Sequence, residues 1–247
     1  MRSRRTVCRV PAAERCCRRT STQHIRGQIA MSIRTASLTS QSAYQVGGPV
    51  ASAVAQAQDH YISVSQLKRR LLEIIKQRSL LTEGGPFKLA SGEMSNYYLD
   101  MKPTMFDPEG SMLTAEIIYE EYLRDDPDVD AVGGLELGAV PIIATICARS
   151  WHERPVSGFV VRKEKKGHGT DKRIDGNFKP NSTVILFDDV TTKGGSVMQA
   201  VQAVRAQGAK VKRIITVVDR LEGAKENLAK EGIALLPIFT TVDLLKK

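Results

Sequence analysis

The chain has 247 residues, an ordinary apolar share of 42% and a formal net charge of +9, long enough for one domain with a tail and a sizeable core. The charge is segregated: residues 1–58 hold nine arginines, no lysine and one acid, Glu14, leaving 27 basic against 26 acidic residues in the rest. A near-neutral remainder argues against nucleic acid as a partner, and the longest apolar run, residues 139–147, falls far short of the roughly 18 residues that span a bilayer.

Residues 1–58 show no sustained hydrophobic period and are expected to be a disordered, Arg-rich extension that adds nothing to fold or catalysis. The first thirty resemble an organellar transit peptide. A translation start at Met31, or an extension without a role, is the preferred alternative, because no second organelle signal follows, and the protein is then cytoplasmic. Cys8, Cys16 and Cys17 lie in this extension and only Cys147 beyond it, so neither a disulfide framework nor a metal-ligand spacing emerges.

A domain is expected over 59–247. It begins with a helix over 65–78, with Leu67, Leu71, Leu72, Ile74 and Ile75 on one side and Ser65 as its cap. Two short strands, 87–90 and 97–100, follow around a glycine-containing turn. They suit a small antiparallel hood within about 65–106. A second helix starts at Pro108 and runs to about Arg124. From there strands near 130–134, 158–161, 183–187, 214–218 and 235–239 alternate with helices from about 140, 196 and 224. This order predicts an α/β fold, a parallel twisted sheet with helices on both faces.

Residues 183–196, T-V-I-L-F-D-D-V-T-T-K-G-G-S, carry the strongest chemical signal. A buried strand ends at two carboxylates, Asp188 and Asp189, and a small polar loop leads into the next helix. Glycines let backbone N–H groups approach a phosphate, and a helix start favours an anion. The carboxylates must face elsewhere. About 4 Å from a phosphate charge, each would be repelled by roughly 4 kcal/mol at an effective dielectric of 20. They suit ribose hydroxyls or a divalent cation, so a ribose 5-phosphate fits both halves. A solvated Asp-Asp turn capping an ordinary helix is the competing reading. Between the strands at 158–161 and 183–187 lies a glycine-bearing basic loop, R-K-E-K-K-G-H-G and onward to Gly176. Such a loop is either solvated surface or a lid that brings cations to a pyrophosphate and excludes water.

Three stretches together resemble the type I phosphoribosyltransferases and, within them, the orotate phosphoribosyltransferases. They are F-K-L-A-S-G-E-M-S-N-Y-Y-L-D at 87–100, R-K-E-K-K-G-H-G at 162–169 and D-D-V-T-T-K-G-G-S at 188–196. The resemblance implies transfer of ribose 5-phosphate from phosphoribosyl pyrophosphate (PRPP) to orotate, with Mg2+ held mainly by substrate rather than by a protein cage, in a homodimer with shared active sites. It implies that Arg162, Lys163, Lys166 and His168 contact PRPP and that Asp188 and Asp189 hold the ribose hydroxyls. Lys166, His168, Asp188 and Asp189 are then the catalytic set. Val190, Thr191, Thr192, Lys193, Gly194, Gly195 and Ser196 wrap the 5-phosphate, while Thr192 and Arg220, in V-V-D-R-L-E-G, meet the orotate. The chain departs from some members of that family, with Ala90 where they carry a lysine and Leu137-Gly138 where they carry Tyr-Lys. A transferase for another base should lack the basic loop and the Asp219-Arg220 pair. A PRPP-sensing regulator should show a DNA-binding segment or a basic folded part.

Overall fold

The computed structural model describes residues 63–88, 94–164 and 173–246. The extension at 1–58 lies outside them. The first helix, α1 (Val64–Arg78), is capped by Ser63, not Ser65. Ser63 and Gln66 form a reciprocal capping box, so the decisive signal was the Ser-x-x-Gln spacing. Leu71, Ile74 and Ile75 are its buried face.

The hood differs from expectation. The strands β1 (Leu80–Leu81) and β4 (Tyr98–Leu99) pair antiparallel, as do β2 (Phe87–Lys88) and β3 (Met94–Ser95). The two expected strands therefore belong to separate ladders, and each finds a partner that is too short to show a period of two. A short helix α2 (Lys102–Met105) follows. Next, α3 (Pro108–Ile118) starts on Asp107, whose carboxylate accepts the N–H groups of Glu109 and Gly110. It continues to Leu123 as a π-helical turn, Tyr119–Leu123.

A six-stranded sheet forms the centre, ordered β10 (Leu235–Thr240), β9 (Lys210–Asp219), β8 (Thr183–Thr191), β5 (Ala131–Gly134), β6 (Ser157–Val161), β7 (Ile174–Gly176). All neighbours are parallel except β6 and β7. The sheet is thus mostly parallel, with one antiparallel edge that the basic loop had concealed. Ile174 and Phe178 supply the anchor: both pack on the core, and the Phe178 ring meets Phe159 edge-on at 5.0 Å.

Helices α4 (Ala139–Ser150), α5 (Gly195–Arg205) and α6 (Ala224–Lys230) make the crossovers, and α7 (Thr241–Leu245) closes the described chain. Successive side chains of a strand point to opposite faces. Accordingly Ile185 and Phe187 of β8 join one core with Ile142 and Ile146 of α4, while Val184 and Leu186 join another with Val197 and Val201 of α5. Both faces are covered, so β8 is a continuous apolar run. Its polar end is left to carry chemistry, as is usual at the carboxyl ends of parallel strands.

Candidate active site

The acidic pair lies inside β8 rather than after it. Asp188 is in register with Thr216 of β9, and the ladder runs on to Val190 and Thr191. Burial therefore shapes both carboxyls. Asp188 is 9% exposed and its pKa is pushed up to about 7, first by burial and then by the neighbouring Asp189 charge. Burial likewise raises Asp189. Partners are few: Thr191 Oγ1 donates to Asp188 Oδ2 at 3.3 Å and the Val190 N–H to Asp189 Oδ1 at 2.9 Å. An acidic pair held this way can accept hydrogen bonds from hydroxyls or meet a cation, either of which favours the ionised form.

Beyond Thr191 the loop turns through Gly194 at φ +83°, and α5 begins at Gly195. A side chain at Gly194 would be strained. Thr192, Lys193, Gly195 and Ser196 are exposed, and a Cβ at Gly195 would meet nothing within 4 Å. The result is an open cradle of small residues at the start of an eleven-residue helix, suited to an anion. Asn227 steadies its far side by donating to the Lys193 carbonyl at 3.0 Å.

The loop between β5 and α4 lies against Asp189, a role its sequence did not reveal. A Cβ on Gly138 would come within 2.3 Å of Asp189 Oδ1, so any side chain here requires the carboxylate or the loop to move. Nearby, the Glu136 N–H donates to the Val161 carbonyl at 2.9 Å and the Lys163 N–H to Glu136 Oε1 at 3.0 Å. This loop is thereby stapled to the start of the basic loop. The Lys163 charge reaches Asp188, and that of Lys102 reaches Asp189. Lys102 Nζ itself sits 2.6 Å from Asp100 Oδ1. Arg162 is engaged elsewhere, its Nε donating to Asp175 Oδ2 at 2.5 Å across the β6–β7 edge. Lys166 and His168 lie outside the described residues.

Arg220 follows the last residue of β9, and its N–H donates to the Thr191 carbonyl at 2.9 Å. Adjacent parallel strands thus bring the cradle and this cation to one end of the sheet. Its side chain is only 9% exposed, so it is not surface charge. Glu222 Oε1 lies 2.9 Å from Arg220 Nε, and the guanidinium carbon lies 5.0 Å from the centre of the Tyr97 ring.

A mostly parallel sheet whose central strand ends in a buried acidic pair, an anion cradle and a helix start defines a phosphoribosyltransferase. Residues 107–239 match the model of the phosphoribosyl transferase domain. An orotate phosphoribosyltransferase of Rhodopseudomonas palustris (strain BisB5) is 42% identical over 191 residues, covering 75% of this chain and 100% of the relative. That of Aquifex aeolicus (strain VF5) is 44% identical over 180 residues, covering 72% and 97%. Among solved structures, Mycobacterium tuberculosis H37Rv orotate phosphoribosyltransferase in complex with Fe(III) dicitrate is 34% identical, with a TM-score of 0.63 over 73% of this chain and 99% of that one. The same enzyme in complex with PRPP gives 32% and 0.60, over 72% and 98%. The chain belongs to the orotate phosphoribosyltransferases.

Proposed function

We infer that this chain transfers ribose 5-phosphate from PRPP to orotate, giving orotidine 5′-phosphate and pyrophosphate in the synthesis of pyrimidine nucleotides. The observation that carries the reading is the meeting, at one sheet end, of the buried Asp188–Asp189 pair, the Thr191–Ser196 cradle and Arg220. In the reaction the bond from the anomeric carbon to the pyrophosphate oxygen breaks as the base nitrogen attacks, and the proton that this nitrogen gives up ends on the departing pyrophosphate. Positive charge grows on the ribose and negative charge on the leaving group. Asp188 and Asp189 accept hydrogen bonds from the ribose 2′ and 3′ hydroxyls, and their negative field favours the cationic sugar. The cradle fixes the 5-phosphate, and the closing basic loop, with Lys163, Lys166 and His168, meets the pyrophosphate and excludes water. Arg162 joins them by exchanging Asp175 for a phosphate oxygen.

Magnesium fits this donor set, because Mg2+ takes one or two carboxylates and otherwise prefers waters and substrate phosphate oxygens. The described residues hold no grouping of three or more His, Cys, Asp or Glu that could cage an ion. When bound, it neutralises charge on the pyrophosphate. A homodimer in which the basic loop of one subunit closes on the other's acidic pair is our reading of the assembly. We place it in the cytoplasm; no described helix is long and apolar enough to cross a membrane.

Purified protein given PRPP and Mg2+ should release pyrophosphate with orotate and not with uracil or hypoxanthine. Preference for either of the other bases would overturn the assignment.

A further inference from the structure

Arg220 poses a problem that its proposed role does not solve. A guanidinium has five N–H donors in a rigid plane, and a carboxylate is read well only when that plane is held at the right tilt. Yet Arg220 extends from a strand end, where a long side chain has many rotamers. Two contacts and a bend in the backbone restrict it. The Tyr97 ring, from the hood, lies against the guanidinium at 5.0 Å. Glu222 Oε1 lies 2.9 Å from Nε, but off the N–H direction, so the buried Nε has a charged neighbour without an aligned acceptor. The backbone between them is bent to allow this: Leu221 adopts φ +59°, and its N–H donates to Asp219 Oδ1 at 2.9 Å. Left-handed backbone at an exposed leucine is strained, and such strain concentrates at functional sites.

The arrangement leaves one edge of the guanidinium open. Among the described residues neither Nη nitrogen of Arg220 donates a hydrogen bond, whereas the Nε edge faces Glu222 and one face of the plane meets Tyr97. We propose that Tyr97 and Glu222 are positioning residues for base selection, clamping Arg220 so that its two Nη nitrogens present a flat fork to the carboxylate of the incoming base. Tyr97 acts through its ring, as a cation stacked on an aromatic face is held without being neutralised. Glu222 acts through its charge, fixing the opposite edge. Because Tyr97 immediately precedes β4 of the hood, the clamp also ties hood position to base recognition. The proposal rests on the orotate reading of Arg220.

Four variants test it: Tyr97→Leu, Tyr97→Phe, Glu222→Gln and Arg220→Lys, with the first and third also combined with Arg220→Lys. Tyr97→Leu is expected to raise the KM for orotate about 10-fold, with the KM for PRPP and the melting temperature little changed. Tyr97→Phe, which keeps the ring, should stay near wild type. Glu222→Gln should raise orotate KM several-fold. In the Arg220→Lys background, which has no fork to align, neither Tyr97→Leu nor Glu222→Gln should add a further loss. A Tyr97→Leu enzyme with normal orotate KM, additive losses in the double variants, or a lower orotate KM in Glu222→Gln would each overturn the clamp. If Tyr97→Leu melts early, the Glu222→Gln pair decides alone. Failure of wild-type protein to use orotate would remove the underlying reading, whereas wild-type turnover with unaffected variants removes only the clamp.

Discussion

Replacing Asp188 with Asn should stabilise the ligand-free protein, and the gain should grow with pH. The folded-state pKa of Asp188 is raised from 3.8 to about 7 by burial and by the adjacent Asp189 charge. An acid with a raised folded pKa binds more protons folded than unfolded between those two values, so stability falls as pH rises through that window. At about 1.36 kcal/mol per pH unit, the penalty is roughly 2 kcal/mol at pH 5 and about 4 kcal/mol at pH 8, fully developed above the folded value. Asn has the shape of Asp, can still accept from Thr191 Oγ1, and never bears the charge. The wild-type protein should therefore lose about 2 kcal/mol relative to Asp188→Asn between pH 5 and pH 8. For a domain of this size that is roughly 4 to 8 °C in Tm. Differential scanning calorimetry of both proteins at several pH values, without substrate, measures it. Activity should move the other way, because the carboxylate is needed under the ribose. A Tm difference that is constant or shrinks from pH 5 to pH 8 would refute the claim that a buried, charge-crowded carboxyl lies at this strand end.

Three further outcomes are expected. Gly138→Ala places a Cβ against Asp189 Oδ1 and, by forcing the loop or the carboxylate aside, should cost roughly 1 to 3 kcal/mol in kcat/KM for PRPP, read from steady-state kinetics. Arg220→Ala should lower kcat/KM for orotate by roughly 2 to 4 kcal/mol, the cost of removing one partner of a buried charge pair. The PRPP dissociation constant should stay nearly normal by calorimetry, and equal losses for both substrates would move Arg220 out of the base site. Mixing inactive Lys166→Ala protein with inactive Asp188→Asn, Asp189→Asn protein should restore partial activity if loop and acidic pair meet across a dimer. No recovery in demonstrated heterodimers would show that each subunit completes its own site.

The chain's local chemistry specified a good deal. Residues 183–187 are apolar without alternation because β8 is covered on both faces, so a parallel sheet was legible from them. Likewise Asp188, Asp189 and the following glycines announced a sugar-phosphate site, because few other ligands need carboxylates and a phosphate cradle eight residues apart or less. What lay hidden depended on partners distant in sequence. The antiparallel edge strand β7 has three residues amid charged neighbours, and it exists only because Gly158 and Arg162, at the two ends of β6, hydrogen-bond to Asn177 and Arg173 flanking it and because Ile174 and Phe178 have a surface to pack on. The hood ladders pair two residues each, below any period. Gly138 gave no sign that it faces Asp189, some 50 positions on, and Tyr97 none that it stacks on Arg220. Nor could residue type show that Asp188 is buried and titrates near neutrality. Composition and short-range periodicity determine which elements form and what chemistry they can carry. Only the packed sheet, by bringing the carboxyl ends of β5, β8 and β9 side by side, decided which groups share a site and how far their charges are shifted.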